Sequence, residues 1–188
     1  MRVTSGGSSA GREPARRLFF ALWPDDAARR HLAAALRDLL PQGAGRPQRP
    51  DQWHVTLEFL GDVPESRLQA VLDAGAAASS GASACELVFD RLEHWKRPQV
   101  LCLEAEATPE PLATLVRSLR SELQLRGFTP ETRPFRAHVT LARRVARVPP
   151  PTAVEALRWP VRELSLVQSL TDRSGSRYVE LAAWRPGT

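Results

Sequence analysis

The tetrapeptide His-Val-Thr-Leu occurs twice in the sequence, at residues 54–57 and again at residues 138–141. In a chain of 188 residues, a second copy arises by chance with odds on the order of one in a thousand. Each copy lies in one half of the chain, and each follows a segment that contains a proline, Pro50 or Pro134. The repeat therefore predicts two related half-domains.

Each copy has the alternation of a β-strand, and this alternation decides which side chains act together. Successive side chains point to opposite faces, so His54 and Thr56 share one face and the apolar residues beside them take the other. His138 and Thr140 share a face in the second copy in the same way. The valines and leucines can bury beneath the two lobes, and the His/Thr faces can then meet across a cleft.

Two imidazoles and two hydroxyls in one cleft are suited to phosphodiester chemistry. The pKa of imidazole is near neutrality, so one histidine can take a proton from water while the other gives one to the departing ribose oxygen. The threonine hydroxyls can donate hydrogen bonds to the non-bridging phosphate oxygens, where charge builds up in the transition state. This scheme requires no metal and no other cofactor. A zinc site is the alternative for a histidine pair, but the sequence offers no convergent third ligand.

Hydrophobic periodicity predicts seven strands and three helices in the order β-α-β-α-β-β-α-β-β-β. The predicted strands cover residues 18–23, 53–60, 85–92, 100–106, 135–143, 163–170 and 178–184. The first helix begins at Asp25 or Asp26 and carries leucines up to residue 40, the second begins at Pro64, and the third has apolar residues from 112 to 123. The prolines at 149–151 predict an extended linker. This order is typical of an α+β fold, with antiparallel sheet and helices on the outer faces.

Residues 1–16 are rich in glycine and serine and lack apolar periodicity, which predicts a disordered tail followed by one domain over residues 17–188. The tail has no apolar segment of the kind found in secretory signals. No apolar run approaches the roughly 20 residues that are needed to span a bilayer. We therefore expect a cytoplasmic protein with no membrane partner.

The formal net charge is +5, and nearly all of the positive charge comes from arginine, since Lys96 is the only lysine. A guanidinium group binds phosphate in a bidentate way, so this charge permits an anionic partner such as RNA. An arginine bias of the genome explains the composition equally well. Cys85 and Cys102 are too few for a disulfide framework, and we expect both to be buried apolar fillers. We expect His31 at the surface or in helix packing, and His94 exposed in a hairpin turn.

With these motifs the chain resembles the 2H phosphoesterases, which are named for two His-x-Thr motifs, and among them the bacterial RNA 2′,3′-cyclic phosphodiesterases, historically called 2′-5′ RNA ligases. The resemblance runs from Arg17 to Trp184 and rests on residues 17–22, 51–63, 97–101, 127–143, Tyr178, Leu181 and Trp184. It implies a bilobal, pseudo-symmetric α+β fold of two antiparallel sheets around a central cleft. It also implies metal-independent hydrolysis of a 2′,3′-cyclic phosphate to a 2′-phosphomonoester.

The resemblance also implies roles for the motif residues. By motif position, His54 is the proton donor to the leaving 3′-oxygen, and His138 is the proton acceptor that activates water. Thr56 and Thr140 are implied to bind the phosphate. Because the two motifs are nearly symmetric, the sequence leaves the donor and acceptor labels exchangeable.

Other candidate contacts with RNA lie beside the motifs. Arg133, Arg136 and Arg143 flank the second copy and are candidates for phosphate contacts. By strand alternation Arg143 lies off the His/Thr face, so a salt bridge or solvent is an equal alternative for it. Phe19 and Phe20 begin a central strand, and one of them, with Phe20 as the candidate, can line the cleft and stack on a base; core packing is the alternative.

The expected partner is an RNA that ends in a 2′,3′-cyclic phosphate, tRNA fragments among them, and the expected state is a monomer. Two other functions remain as alternatives. A ligase that forms 2′-5′ linkages would use the same site in reverse, and a non-catalytic RNA-binding module would use the same basic charge. A binding module needs arginines and aromatic side chains but no matched pair of imidazoles, which favours the hydrolase.

Overall fold

The computed structural model describes residues 13–36, 45–146, 152–172 and 175–185; the predicted tail up to residue 12, the leucines at 39 and 40, and the prolines at 149–151 lie outside them. The three α-helices of the described residues are α1 (Asp26–Leu36), α2 (Leu68–Ser80) and α3 (Glu110–Leu125). Their nine strands are β1 (Ala15–Leu22), β2 (Arg46–Pro47), β3 (Val55–Pro64), β4 (Cys85–Trp95), β5 (Val100–Glu104), β6 (His138–Arg143), β7 (Thr152–Val161), β8 (Leu164–Asp172) and β9 (Gly175–Trp184). No helix in this part of the chain is long and apolar enough to cross a membrane.

The strands form one antiparallel sheet in the order β7-β4-β5-β6-β3-β1-β8-β9, with β2 paired to the end of β6. The sheet has two four-stranded halves, and a motif strand, β6 or β3, lies at the inner boundary of each half. The halves are joined there by the pairing of Val55 with Val139. The predicted α+β class with antiparallel sheet is confirmed, and the two sheets that we expected are joined into one by this central pair.

One hydrophobic core serves both halves of the sheet. It contains buried residues of every long strand from β1 to β8 and of the helices α2 and α3, which pack against each other. Val55 and Val139 are fully buried within it. Because side chains alternate along a strand, the burial of these valines directs the neighbouring motif side chains to the opposite face of the sheet.

The first strand starts earlier than the sequence predicts. β1 begins at Ala15 rather than Leu18, because the residues from Ala15 to Arg17 continue the antiparallel pairing with the end of β3. The guanidinium group of Arg16 also forms an ion pair with Glu65 at 2.6 Å. Two residues that we assign to the tail by composition therefore belong to the sheet.

The sequence pattern does not predict β7. This strand lacks strict alternation and contains Pro160, which has no N–H to donate to a sheet. β7 lies at the edge of the sheet and pairs with β4 alone, so a proline is tolerated there. Long-range pairing rather than local periodicity makes this segment a strand.

Gly75 of α2 lies against two aromatic rings, because a Cβ added there would come within 2.6 Å of the Trp184 ring and 2.9 Å of the Phe20 ring. We predict that Gly75→Val lowers the free energy of unfolding by about 2 kcal/mol or more, since this part of the core has no room for added methyl groups. Ala76→Val places the same side chain on the exposed face of the same helix and should cost less than about 1 kcal/mol. Urea unfolding followed by circular dichroism compares the two variants, and equal losses would contradict the prediction.

Candidate active site

The two motifs lie side by side where the halves of the sheet meet. His54 comes directly before β3, and His138 is the first residue of β6. Both histidines, together with Thr56 and Thr140, line one cleft of about 420 Å³. The cleft is completed by Trp95, Arg97, Pro98, Val100, Arg133 and Arg143. The two His/Thr faces therefore meet in one cleft, as strand alternation predicts.

Each histidine is held by the same type of hydrogen bond. Nδ1 of His54 lies 2.7 Å from the carbonyl oxygen of Gln52, and Nδ1 of His138 lies 2.8 Å from that of Arg136. A carbonyl oxygen only accepts, so Nδ1 donates in both rings. The lone pair of each neutral ring is consequently on Nε2, and a proton taken up there turns Nε2 into a donor. Both rings are thus prepared to exchange a proton at Nε2.

A β-bulge follows the threonine in both motifs. Leu57 on β3 and Leu141 on β6 are extra residues, since the residues on either side of each pair with consecutive residues of the neighbouring strand. A bulge reverses the alternation, so the side chain five positions after each histidine returns to the cleft side of the sheet. That side chain is Phe59 in the first copy and Arg143 in the second. Strand alternation predicts that Arg143 lies off the His/Thr face, and the bulge corrects this, because Arg143 lines the cleft.

Aromatic rings surround the two histidines unequally. The ring centroids of Phe19, Trp23 and Tyr178 each lie 5.1 Å from that of His54. His138 is close to the ring of Trp95, at 4.4 Å. Trp23 and Trp95 are missing from the candidate residues of the sequence analysis. The available signal for Trp23 is its position as the last residue of the predicted first strand. Trp95 lies after the strand predicted for residues 85–92, in the segment that we expect to form a hairpin turn, where a large apolar residue is unusual.

Phe20 does not reach the cleft. Its side chain is fully buried, and its ring packs 6.1 Å from that of Trp184 in the core. The candidate contact of Phe20 with RNA is therefore wrong, because this residue points to the core side of β1. Its neighbour Phe19 takes the other face and packs against His54.

Burial lowers the pKa of His54 to about 4, against an ordinary value of 6.5. The hydrogen bond from its ring to Gln52 opposes this change, while the positive charges of Arg143 and His138 add to it. The ring is thus neutral at pH 7 when the cleft is empty. In this state Nε2 of His54 is a proton acceptor.

Burial also lowers the pKa of His138, but here a carboxylate works in the opposite direction. Glu104 lies directly across from His138 in the pairing of β5 with β6, and its charge favours the protonated ring. Glu104 is 5% exposed and forms an ion pair with Arg136 at 2.5 Å. His138 therefore lies beside one aromatic ring and one carboxylate, whereas His54 lies among three aromatic rings.

The candidate arginines differ in how much of their charge is already neutralised. Arg133 forms an ion pair with Glu131 at 2.5 Å, and Arg136 forms the one with Glu104. Arg143 forms no ion pair with a carboxylate among the described residues, and neither does Arg97, which lies outside the two motifs. Arg97 and Arg143 are therefore the cleft residues whose charge is available to an anion.

A buried ion pair supports one wall of the cleft. Glu58, which is 2% exposed, accepts hydrogen bonds from Nε of Arg120 at 2.8 Å and from the backbone N–H of Glu131 at 2.7 Å. Arg120 also donates to the carbonyl oxygen of Arg133 at 3.0 Å. These bonds tie the segment before the second motif to β3 and α3, and so fix the position of Arg133 at the cleft.

A second groove, of about 860 Å³, opens from the cleft on this side. It shares Thr56, Trp95, Arg133 and His138 with the cleft. Its walls also include Leu57, Glu58, Phe59, Arg120, Thr129, Pro130, Glu131, Pro134, Phe135 and Arg136. The exposed ring of Phe59 and the prolines give this groove a more apolar surface than the cleft.

His94, Cys85 and Cys102 lie outside the cleft. His94 is half-buried on β4 rather than exposed in a turn, and its Nε2 lies 3.0 Å from the carbonyl oxygen of Val145. Cys102 is fully buried, and burial raises its pKa to about 12, so its thiol is a poor nucleophile. Cys85 is half-buried, and burial raises its pKa as well. No three side chains of His, Cys, Asp or Glu converge on a metal position in the described ranges.

Comparisons with known proteins agree with this arrangement. The family model described as "LigT like Phosphoesterase" matches the chain twice, over residues 22–102 and 103–178, so each match contains one of the two motifs. A protein of Escherichia coli K12 named RNA 2′,3′-cyclic phosphodiesterase is 33% identical over 175 residues, which cover 90% of this chain and 96% of the relative. A Thermus thermophilus protein of the same name is 32% identical over 178 residues, or 88% of this chain and 87% of the relative.

Solved structures agree as well. The apo crystal structure of Escherichia coli LigT superimposes with a TM-score of 0.83 at 29% identity and covers 94% of this chain and 100% of that one. The same protein in complex with 3′-AMP has a TM-score of 0.80 at 31% identity, with 93% and 99% covered. The resemblance inferred from the two motifs is thereby confirmed.

Proposed function

Since the chain belongs to the LigT-like phosphoesterase family, we propose that it hydrolyses the 2′,3′-cyclic phosphodiester at the end of an RNA to a 2′-phosphomonoester. The reaction uses two histidines as acid and base and requires no metal ion. The substrates include the cyclic-phosphate ends of RNA fragments such as those of tRNA. The protein acts as a monomer in the cytoplasm.

One observation carries this proposal: two histidines share a cleft, and each has Nδ1 bound to a carbonyl oxygen two residues earlier in the chain. Hydrolysis of a cyclic phosphodiester needs one group that accepts a proton and one that donates a proton. Two imidazoles with free Nε2 atoms supply both roles. A binding module would need neither the matched rings nor their common orientation.

In the proposed reaction, a water oxygen forms a bond to phosphorus while the bond from phosphorus to the 3′-oxygen breaks. Nε2 of His138 accepts the proton that the water loses, and Nε2 of His54 donates its proton to the 3′-oxygen. The products are a 2′-phosphomonoester and a free 3′-hydroxyl. At the end His138 is protonated and His54 is neutral, so proton exchange with solvent restores the starting state.

The phosphate lies between the motifs, where hydroxyl and guanidinium groups stabilise the charge that builds up on its oxygens. Thr56 and Thr140 donate hydrogen bonds to the non-bridging oxygens. Arg143, brought to the cleft by the bulge, adds a positive charge. Arg133 lies at the edge of the cleft and pairs with Glu131, and Arg136 pairs with Glu104, so both act at the periphery of the bound RNA.

We predict that a short RNA with a 2′,3′-cyclic phosphate end is converted to a 2′-phosphate end in the presence of a chelator. His54→Ala and His138→Ala should each reduce kcat by at least about 100-fold, because each removes one proton-transfer group. His94→Ala is the matched control, since it removes a histidine that lies outside the cleft. Product analysis by mass spectrometry and chromatography also detects any joined RNA. Near-normal turnover by either cleft variant would refute the mechanism.

The pH dependence follows from the lowered pKa values. A histidine is neutral above its pKa and charged below it, and the reaction needs one neutral ring and one charged ring. Because the pKa values of both rings lie below 6.5 in the empty cleft, the bell-shaped profile of kcat/KM should peak below pH 6.5. The profile of kcat should peak at a higher pH, since a bound phosphate anion favours the charged ring. Steady-state kinetics from pH 4 to 9 measure both, and a peak of kcat/KM above pH 7 would contradict the prediction.

The assignment of donor and acceptor is tested with the leaving group. In the empty cleft Glu104 favours a proton on His138, so the bound phosphate has to raise the pKa of His54 if His54 is the donor. A nitrophenyl leaving group departs without a proton, so a variant without the donor keeps its activity on such a phosphodiester. We predict that the activity of His54→Gln falls by a factor at least about ten times smaller on a nitrophenyl phosphodiester than on the RNA end. His138→Gln should lose its activity on both substrates. The reverse pattern would exchange the two roles.

A further inference from the structure

Four arginines next to the cleft have no carboxylate partner. Arg46, Arg97, Arg143 and Arg144 are exposed, and none of them forms an ion pair within the described part of the chain. By contrast, twelve other described arginines each pair with an aspartate or a glutamate. Four further arginines of the described ranges, Arg17, Arg30, Arg67 and Arg177, form no ion pair either, but none of them lines the cleft, and Arg17 and Arg67 lie over the rings of Phe59 and Phe128. Half of the unpaired arginines in these ranges are therefore gathered beside the cleft.

The backbone brings these four residues together. Arg46 on β2 is paired with Arg143 at the end of β6, and on the other side of β6 Arg143 is paired with Val100. The turn between β4 and β5, which carries Arg97, is held to the chain after β6 by a hydrogen bond from Val145 to the carbonyl oxygen of Gln99 at 3.1 Å. We call Arg46, Arg97, Arg143 and Arg144 the arginine wall.

The arginine wall begins inside the cleft and continues beyond it. Arg97 and Arg143 line the cleft together with the two histidines, whereas Arg46 and Arg144 do not. Arg144 adopts a φ of 59°, which costs a residue with a side chain about 1 kcal/mol. A glycine would avoid that cost, and an asparagine would reduce it. The backbone conformation at position 144 therefore does not favour an arginine.

The other exit from the cleft is less suited to a chain of phosphates. In the apolar groove, Arg120, Arg133 and Arg136 each pair with a glutamate, so their charge is already compensated. Its exposed Phe59 ring and its prolines offer surface for the face of a nucleobase instead. The arginine wall therefore suits phosphate groups, and the apolar groove on the other side of the cleft suits nucleobases.

We propose that the arginine wall binds the phosphates of the RNA strand on the 5′ side of the cyclic end, so that the protein prefers an RNA end to a cyclic mononucleotide. This inference rests on the proposed function. A cyclic mononucleotide has one phosphate and fills the cleft, where Arg97 and Arg143 are within reach. An RNA strand continues along Arg46 and Arg144, and each contact with a phosphate releases counterions and strengthens binding.

The test is a double variant, Arg46→Ala with Arg144→Asn, in which asparagine suits the left-handed backbone at position 144. We expect kcat/KM for a single-stranded RNA of about ten nucleotides with a cyclic end to fall about tenfold, and kcat/KM for 2′,3′-cyclic AMP to stay within about twofold. The slope of log Kd for the product RNA against log salt should become shallower by about 1.4, or about 0.7 for each phosphate contact. Lysine at both positions should restore the slope, because it restores the charge.

The matched control is Arg117→Ala with Arg158→Ala, which removes the same charge from exposed ion pairs on α3 and β7. Equal effects of the two double variants would overturn the arginine wall, because they would show that net charge alone acts. An unchanged salt slope in the first variant would overturn it as well. The salt dependence of Kd is measured with product RNA, so it tests the arginine wall even if the protein hydrolyses neither substrate. If the wild-type protein hydrolyses 2′,3′-cyclic AMP and the double variant keeps full activity on RNA, the proposed function stands and the arginine wall is refuted.

Discussion

The site depends on the pairing of Val55 with Val139, where the two halves of the sheet meet. Both valines are fully buried, and each is the residue after a motif histidine. Because side chains alternate along a strand, burying the valines turns both histidines and both threonines to the other face. A shift of either strand by one residue would place its histidine in the core, so the energy of the core protects the register of the site.

The two halves repeat one design and differ at the positions that give each side its chemistry. The repeated parts are the bond from Nδ1 to a carbonyl oxygen and the bulge after the threonine. Trp23 packs against His54, whereas Glu104 lies across from His138. The bulge presents Phe59 on one side and Arg143 on the other. The internal repeat thus supplies two equivalent histidine rings. The residues that differ between the halves make the surroundings of His54 more apolar and those of His138 more charged.

The sequence predicts the features that arise from local periodicity. The repeated motif and its alternation are sufficient to place the histidines and threonines in one cleft, and the resemblance is sufficient to give the family. The contact of His54 with Trp23, the burial of Phe20 and the strand β7 depend on partners distant in the chain, so no local pattern reports them. Arg143 illustrates the limit, since a single extra residue in β6 reverses the face that alternation predicts for it.

The electrostatics of the cleft link proton uptake to substrate binding. Burial lowers the pKa of both histidines, and the positive charge of Arg143 adds to this effect, so the free cleft resists a second positive charge. A phosphodiester carries the opposite charge and lies between these groups in the proposed reaction. Its arrival compensates the charge of Arg143, and the cost of protonating one imidazole falls at the moment when a donor is needed. In the proposed reaction, burial and the charge of Arg143 thus keep the donor histidine neutral until the phosphate is bound, which ties the acid form of the site to the occupied cleft.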